Sequence, residues 1–149
     1  MVIRRYEGRD KEAIIDLWRE VFAYETPHND PKISLEKKVA VDDGLLYVAE
    51  EGGTVIGTAM AGYDGHRGWI YSLAVRADRR GEGAGRTLVE VVIEELRSRG
   101  CVKVNLQITG ANGGVVGFYE KLGFSVEDRI SMGLKLLADT RRSTADSVP

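Results

Sequence analysis

A buried strand that runs directly into a glycine-rich loop, which then opens an amphipathic helix, can be accommodated by few folds. In this chain the junction reads Leu73-Ala74-Val75-Arg76-Ala77-Asp78-Arg79-Arg80-Gly81-Glu82-Gly83-Ala84-Gly85-Arg86. Residues 69–75 form the apolar strand, and Leu88, Val89, Val92, Ile93 and Leu96 recur on one helical face until Gly100 supplies a stop. Glycines let backbone N–H groups turn towards an anion, and a helix N-terminus adds unpaired donors and a partial positive charge. Arg76, Arg79, Arg80 and Arg86 surround the loop, which suits a polyanion better than a single carboxylate. A tight turn with solvated arginines is the plainer explanation. Glycines at every second position, at 81, 83 and 85, weigh against it.

The flanking pattern describes one mixed α/β domain. Residues 2–6 read as a strand, and Asp10 offers an N-cap to a helix on which Ala13, Ile14, Leu17, Trp18 and Val21 recur. Two prolines break residues 24–31, and Ser34 offers a cap to a second helix through Val41. Residues 45–49 and 54–60 read as strands joined by Glu51-Gly52-Gly53, with a further turn over 62–68. After the junction, residues 102–108 alternate like a strand. Asn112 then precedes a short helix carrying Val115, Phe118, Tyr119 and Leu122 and ended by Gly123. A strand pair over 124–127 and 131–136 is expected to close the fold. The domain is expected to span residues 1–138, with the small, polar stretch 139–149 as a disordered tail.

Composition narrows the function. With 43% hydrophobic and 30% charged residues, 149 residues can bury one core. The net charge is -2 and the Arg141-Arg142 pair is too small for a nucleic-acid patch, so no nucleic-acid partner is expected. A single cysteine, Cys101, excludes an internal disulfide, and with only His28 and His66 beside it a cysteine-rich zinc site is excluded too. No metal is expected, and Cys101 beside an apolar strand reads as a small buried filler. Charges at Arg4, Arg5 and Glu7 interrupt any signal peptide, and no apolar run reaches bilayer-spanning length. The expectation is a cytoplasmic protein with no membrane partner.

The loop discriminates among phosphate ligands. A dinucleotide fingerprint G-x-G-x-x-G fails at Arg86 when read from Gly81 and at Leu88 when read from Gly83. A P-loop run G-x-x-x-x-G-K-S/T is absent from the sequence. The pattern R-x-x-G-x-G, at Arg80, Gly83 and Gly85, resembles the coenzyme A pyrophosphate loop of the GNAT acetyltransferase superfamily. A second stretch, Asn112-Gly113-Gly114-Val115-Val116-Gly117-Phe118-Tyr119-Glu120-Lys121-Leu122-Gly123-Phe124, resembles that family's signature N-x-x-A-x-x-F-Y-E-K-x-G-F, with Val115 in place of the alanine. The run over residues 62–68 resembles the YpeA-like bacterial branch. This resemblance implies an α/β (α+β) fold with a single mixed sheet of six to seven strands, a splayed central pair and about four flanking helices.

It also implies acetyl-CoA as co-substrate, a primary amine as acceptor, and direct attack in a ternary complex without a covalent acetyl-enzyme. The implied cofactor-binding residues are Leu73, Ala74, Val75, Arg80, Gly81, Glu82, Gly83, Ala84, Gly85, Arg86, Asn112 and Tyr119. Backbone amides of Leu73 and Val75 would fix the pantetheine arm and thioester. Tyr119 would be the general acid for the departing thiolate, since a phenol is ordinarily protonated at neutral pH. A core tyrosine or a simple N-cap are the plainer readings of Tyr119 and Asn112. The base is harder to place. Where relatives carry a glutamate this chain has Gln107 or Trp69, and neither can accept a proton at useful pH. Freeing a lysine-like amine at pH 7 costs about 4 kcal/mol. His66 is the candidate base, with Asp64, Tyr71 and a water chain as alternatives.

Trp18 reads as core, and His28 and Asn29 lie in a loop that shapes the acceptor pocket in this family. A different class of function, an acyl-CoA-binding sensor or interaction module without turnover, is the alternative that the missing glutamates leave open. The acceptor, a small molecule or a peptide, is not specified by the fold. A homodimer is compatible with the resemblance, and no sequence feature demands one.

Overall fold

The stretch from Leu45 to Ala49 is apolar on both sides. Leu45, Tyr47 and Ala49 face one layer of helices and Leu46 and Val48 face the other, all at most 6% exposed. A run buried on both faces belongs to an interior strand. In the computed structural model, which describes residues 1–22 and 30–136, that strand is β2 (Leu46–Glu51). Its neighbours are β1 (Val2–Arg5) and β3 (Thr54–Tyr63), followed by β4 (Gly68–Val75) and β5 (Val104–Asn105). The sheet order is β1-β2-β3-β4-β5, antiparallel except for the parallel β4–β5 pair. Helices α1 (Lys11–Val21) and α2 (Pro31–Val41) lie on one face, with Ile14, Leu17, Trp18 and Leu35 against Leu46, Val48 and Met60. Helices α3 (Ala84–Ser98) and α4 (Val116–Lys121) lie on the other, where Leu88, Val89, Val92, Leu96 and Tyr119 meet Ile56, Ala59, Ala61 and Ile70.

The close fit of α3 on the sheet depends on Gly57. A Cβ built there would sit 2.9 Å from the carbonyl oxygen of Ala74 and 3.1 Å from Leu88 Cδ1. Any side chain at this position would push β3 away from β4 and α3 together. Cys101 is buried, and its thiol lies 3.2 Å from the Lys103 carbonyl oxygen, in keeping with a filler.

Several expectations are corrected. The described residues form five strands, not six to seven, and none falls within 106–136. The alternation Ile130, Met132, Leu134, Leu136 reads as a strand, yet all four are more than 80% exposed and have no apolar surface to cover. Among the described residues, the hydrogen bonds that join this segment to residues 103–107 run between side chains. Glu127 takes Lys103 Nζ and Asn105 Nδ2, and Gln107 donates to Ser131 Oγ. Alternation supplies a face but not a partner for it, and without a partner the ladder does not form. The cap of α2 is Asp30, whose carboxylate accepts from Lys32 and Ile33 N–H at 2.9 and 3.3 Å, with Pro31 as the first helical residue. Ser34 lies inside the helix. Residues 23–29 and 137–149, which include His28, Asn29 and the expected tail, lie outside the described residues. Among the described residues no helix is long and apolar enough to cross a membrane.

Asp10 precedes α1 as expected, but its side chain does not cap that helix. Its carboxylate, 3% exposed, takes Arg4 through two bonds of 2.8 Å and the Glu7 N–H at 2.8 Å. Arg4 also reaches Glu50 at 2.7 Å, so one guanidinium ties β1, β2 and the start of α1 together. The guanidinium, then the backbone bond, hold the Asp10 carboxyl below its ordinary 3.8, against the opposing effect of burial. A lowered carboxylate stabilises the fold above the unfolded value and stops doing so as pH falls through the folded one. We therefore expect urea melts of Asp10→Asn to show lower stability at neutral pH, by about 3 kcal/mol. The gap to the wild type should close as pH drops below 3.8.

Candidate functional site

Helix α3 starts without a side-chain cap. Its N-cap, Gly83, has φ +92° and ψ 1°, and Gly81 has φ +81°. Both values lie where a side chain is disfavoured, and a Cβ at either position would meet nothing within 4 Å. The glycines therefore serve backbone direction, not packing. Among the described residues, no oxygen accepts a hydrogen bond from the N–H groups of residues 83–86. Every helix has such orphan donors, but here they share a loop with exposed glycines and arginines.

The four arginines around the loop are not equivalent. Arg76 pairs with Asp78 at 3.0 Å, Arg79 with Glu51 at 2.8 Å and Glu82 at 3.4 Å, and Arg86 with Glu90 at 2.8 Å. Asp78 and Glu82 from the same stretch, Glu51 from β2 and Glu90 from α3 supply the partners. Exposed pairs of this kind are worth about 0–1 kcal/mol, so a phosphate can displace them at little cost. Among the described residues Arg80 has no carboxylate partner; its Nε donates to the Val75 carbonyl at 3.2 Å.

That bond points to the second part of the site. β4 pairs with β5 only at Gly68↔Val104 and Trp69↔Asn105, and then runs six residues further without that neighbour. On its other side it stays paired with β3, where the Arg76 N–H donates to the Ile56 carbonyl at 2.8 Å. Since backbone groups alternate along a strand, Val75, and Leu73 two residues before it, turn their N–H groups to the open edge. At the fork, Asn105 Oδ1 is buried with no hydrogen-bond partner among the described residues, while Nδ2 donates to Glu127 at 2.6 Å.

A bulge sets this parity. The β3–β4 register shifts between Thr58 and Met60, so that Ser72 and Leu73 oppose Ala59 alone. Ile70 faces α3 before the bulge, whereas Ala74 faces α1 after it. Ser72 adopts φ +49°, a left-handed conformation that costs a residue with a side chain about 1–2 kcal/mol. Its carbonyl accepts from Thr58 Oγ1 at 3.1 Å, and Thr58 Oγ1 accepts from Trp18 Nε1 at 2.8 Å. Neither the bulge nor Thr58 carries a signal in the sequence, and Trp18 reads there only as core.

Tyr119 lies on α4, 8% exposed, edge-on to Phe118 at 5.0 Å and Phe124 at 5.6 Å. Burial pushes its phenol up from 10.0 to about 12. Phe118, on the same helix, lies 3.5 Å from the position a Gly85 Cβ would take, which links α4 to the loop. The base candidates are scattered. His66 is exposed on the β3–β4 turn, and no neighbouring side chain donates to its ring or accepts from it among the described residues. Asp64 Oδ1 accepts the Arg67 and His66 N–H groups at 2.8 and 2.7 Å, and these bonds hold its carboxyl below the ordinary range, making it a poorer base. Desolvation raises Tyr71, which stacks on Trp69 at 6.5 Å, so its phenol keeps its proton and offers no base at neutral pH. Gln107 is exposed and bonded to Ser131. A cavity of about 470 Å³ on the α1 face is lined by Arg4, Asp10, Glu50 and Arg76, whose charges are already paired, and by the carboxylates of Asp16 and Glu20.

Comparison with known proteins gives this geometry a context. Residues 11–124 match the sequence model of the acetyltransferase (GNAT) family. An acetyltransferase of Yersinia pestis is 40% identical over 139 residues, covering 93% of this chain and 98% of its own length. An acetyltransferase of Pectobacterium atrosepticum gives the same identity and coverage. The crystal structure of glucosamine-6-phosphate N-acetyltransferase from Arabidopsis thaliana superposes with a TM-score of 0.69 at 26% identity, covering 91% of this chain and 97% of its own. The ribosomal-protein-S18-alanine N-acetyltransferase of Escherichia coli gives 0.68 at 25% identity, covering 83% and 77%.

A Cβ at position 83 would strain the one conformation that aims the loop amides outward. Calorimetry of Gly83→Ala with acetyl-CoA should show binding weakened by about tenfold, with a melting temperature lowered by only a few degrees. Wild-type affinity in the folded variant would rule out the loop as a binding element.

Proposed function

The chain belongs to the acetyltransferase (GNAT) family and is an N-acetyltransferase, and from that premise we propose that acetyl-CoA and a primary amine meet on β4, where the amine attacks directly in a ternary complex. One observation carries this reading. Among the described residues, the N–H groups of residues 83–86 and the open edge of β4 are unpartnered donors at the two ends of one strand-to-helix junction. A diphosphate suits the first part and an extended amide-bearing chain suits the second. Gly81, Glu82, Gly83, Ala84, Gly85 and Arg86 supply the loop, and Arg80 fixes it to the strand through Val75. Leu73, Ala74 and Val75 present the strand edge. Asn112 is proposed as a further contact for the arm.

Acetyl-CoA supplies an activated acyl group, and the chain's own residues do the rest. The Leu73 N–H is placed to donate to an acyl oxygen that gains charge during attack. Tyr119 holds its proton at any physiological pH, because burial disfavours the phenolate. It is suited to donate to a thiolate, and ill suited to remove a proton from an amine. No buried carboxylate stands by as a base among the described candidates. His66, exposed on its turn, can relay a proton only through water, which makes direct transfer to solvent the simpler route. An amine is the acceptor chemistry common to the two N-acetyltransferases similar in structure, one named for a sugar amine and one for a protein alanine.

The reading is tested by incubating the protein with acetyl-CoA and a panel comprising glucosamine 6-phosphate, a polyamine, free lysine and a peptide with N-terminal alanine, while following free thiol. Acceptor-dependent thiol release supports it. Tight acetyl-CoA binding without release for any amine would favour the acyl-CoA-binding sensor instead. Tyr119→Phe should lower kcat by about 100-fold and leave the acetyl-CoA KM within about threefold. Because the folded phenol titrates near 12, the wild-type rate should show no loss from its ionisation below pH 10. The fold itself should weaken between those values, where the unfolded phenol ionises first.

A further inference from the structure

Strands rarely carry a non-glycine residue in the left-handed region, and Ser72 does so in the middle of β4. Such a residue persists where its surroundings over-determine it. Here the surroundings are a buried chain of two hydrogen bonds from α1. Trp18 and Thr58 are both 0% exposed. An indole nitrogen can only donate, so the 2.8 Å contact from Trp18 Nε1 fixes Thr58 Oγ1 as its acceptor. The single hydroxyl proton of Thr58 is then directed at the Ser72 carbonyl, 3.1 Å away. No other arrangement satisfies all three groups, because a carbonyl cannot donate and an indole cannot accept. The chain therefore has one polarity, from helix to bulge.

The bulge is the element that turns Leu73 and Val75 to the open edge. Ile70 and Ala74 face opposite layers only because one extra residue is inserted between them. Were Ser72 to relax to an ordinary extended conformation, the residues after it would change sides and the Leu73 N–H would no longer meet the open edge. We infer that Thr58, oriented by Trp18, is a positioning residue that locks the Ser72 bulge and so aims the Leu73 N–H at the acyl oxygen. This inference rests on the acetyl-CoA reading proposed above. It assigns to α1 a task besides covering the sheet, since the indole donor comes from that helix.

The test separates aiming from packing. Thr58→Val keeps the shape and removes the hydroxyl, leaving the indole N–H and the Ser72 carbonyl without their partner. Thr58→Ser keeps the hydroxyl and removes the methyl. With acetyl-CoA and whichever panel amine turns over fastest, Thr58→Val should lose about ten- to hundredfold in kcat, because the misplaced group acts on the reacting atoms. Its acetyl-CoA dissociation constant should rise less than kcat falls, by no more than about tenfold, since the loop amides are untouched while the strand-edge contacts to the arm are disturbed. Thr58→Ser should recover kcat to within about threefold of wild type. In ¹⁵N spectra of the free protein, the Leu73 amide should shift in Thr58→Val and return in Thr58→Ser.

A folded Thr58→Val with wild-type kcat overturns the inference while leaving the acetyl-CoA reading intact, and so does a Thr58→Ser as impaired as Thr58→Val. A wild-type protein that neither binds nor turns over acetyl-CoA sinks both. If Thr58→Val does not fold, Trp18→Phe decides, since it removes the donor and keeps a large ring. Its kcat should fall by about tenfold, and an unchanged kcat overturns the inference.

Discussion

The structure turns on a strand that loses its neighbour in the middle of a sheet. Backbone donors and acceptors are almost always paired when they are not in water, so an interior strand with an open edge calls for something to cover it. β4 is paired along its length on the β3 side, yet its contact with β5 stops at Trp69. The remaining six residues of the strand lead into the loop, where the amides of residues 83–86 are also without partners among the described residues. The same chemical need recurs at both ends of the junction, and one extended ligand with an anionic end can meet both. Membership of the acetyltransferase family supplies the identity of a ligand of that shape.

The rest of the fold holds this gap open. α3 is seated close to the sheet because Gly57 leaves no side chain between Ala74 and Leu88, and this fixes where the helix begins. On the other face, α1 is anchored through Ile14, Leu17 and Trp18, and its start is tied to β1 and β2 by Arg4, Asp10 and Glu50. Arg80 bonds the loop to the last carbonyl of β4. The arginines around the loop are mostly engaged with Asp78, Glu51, Glu82 and Glu90, so the specific donors are backbone groups and the charged side chains provide exchangeable surroundings. On the proposed reading the loop would bind through geometry first and charge second.

How much of this is legible in the sequence depends on whether the cause is local. The glycine spacing at 81, 83 and 85, the helical face of Leu88 to Leu96 and the two-sided apolar run of β2 each reflect nearby residues, and each is found where it is expected. Tyr119 is legible by its signature, and its burial accounts for the held proton. Features that depend on contacts remote in sequence are not legible. Thr58 meets Trp18 across forty residues, and the bulge at Ser72 is visible only once β3 and β4 are in register. The segment after Phe124 shows the reverse error. Its alternation is local, but a strand also needs a neighbour, and Ile130, Met132, Leu134 and Leu136 have none among the described residues. Asp30 rather than Ser34 caps α2 because a proline at the first helical position sets the start, a cue present in Pro31 and outweighed by the serine.

The most direct measurement is a titration of ¹⁵N-labelled protein with coenzyme A, followed by its 3′-phosphoadenosine 5′-diphosphate fragment, which keeps the diphosphate and lacks the pantetheine arm. If main-chain donors hold the diphosphate, the amides of residues 83–86 move with both ligands, and those of Leu73 and Val75 move with coenzyme A alone. Saturating coenzyme A that leaves residues 83–86 unshifted while other regions respond would contradict the account.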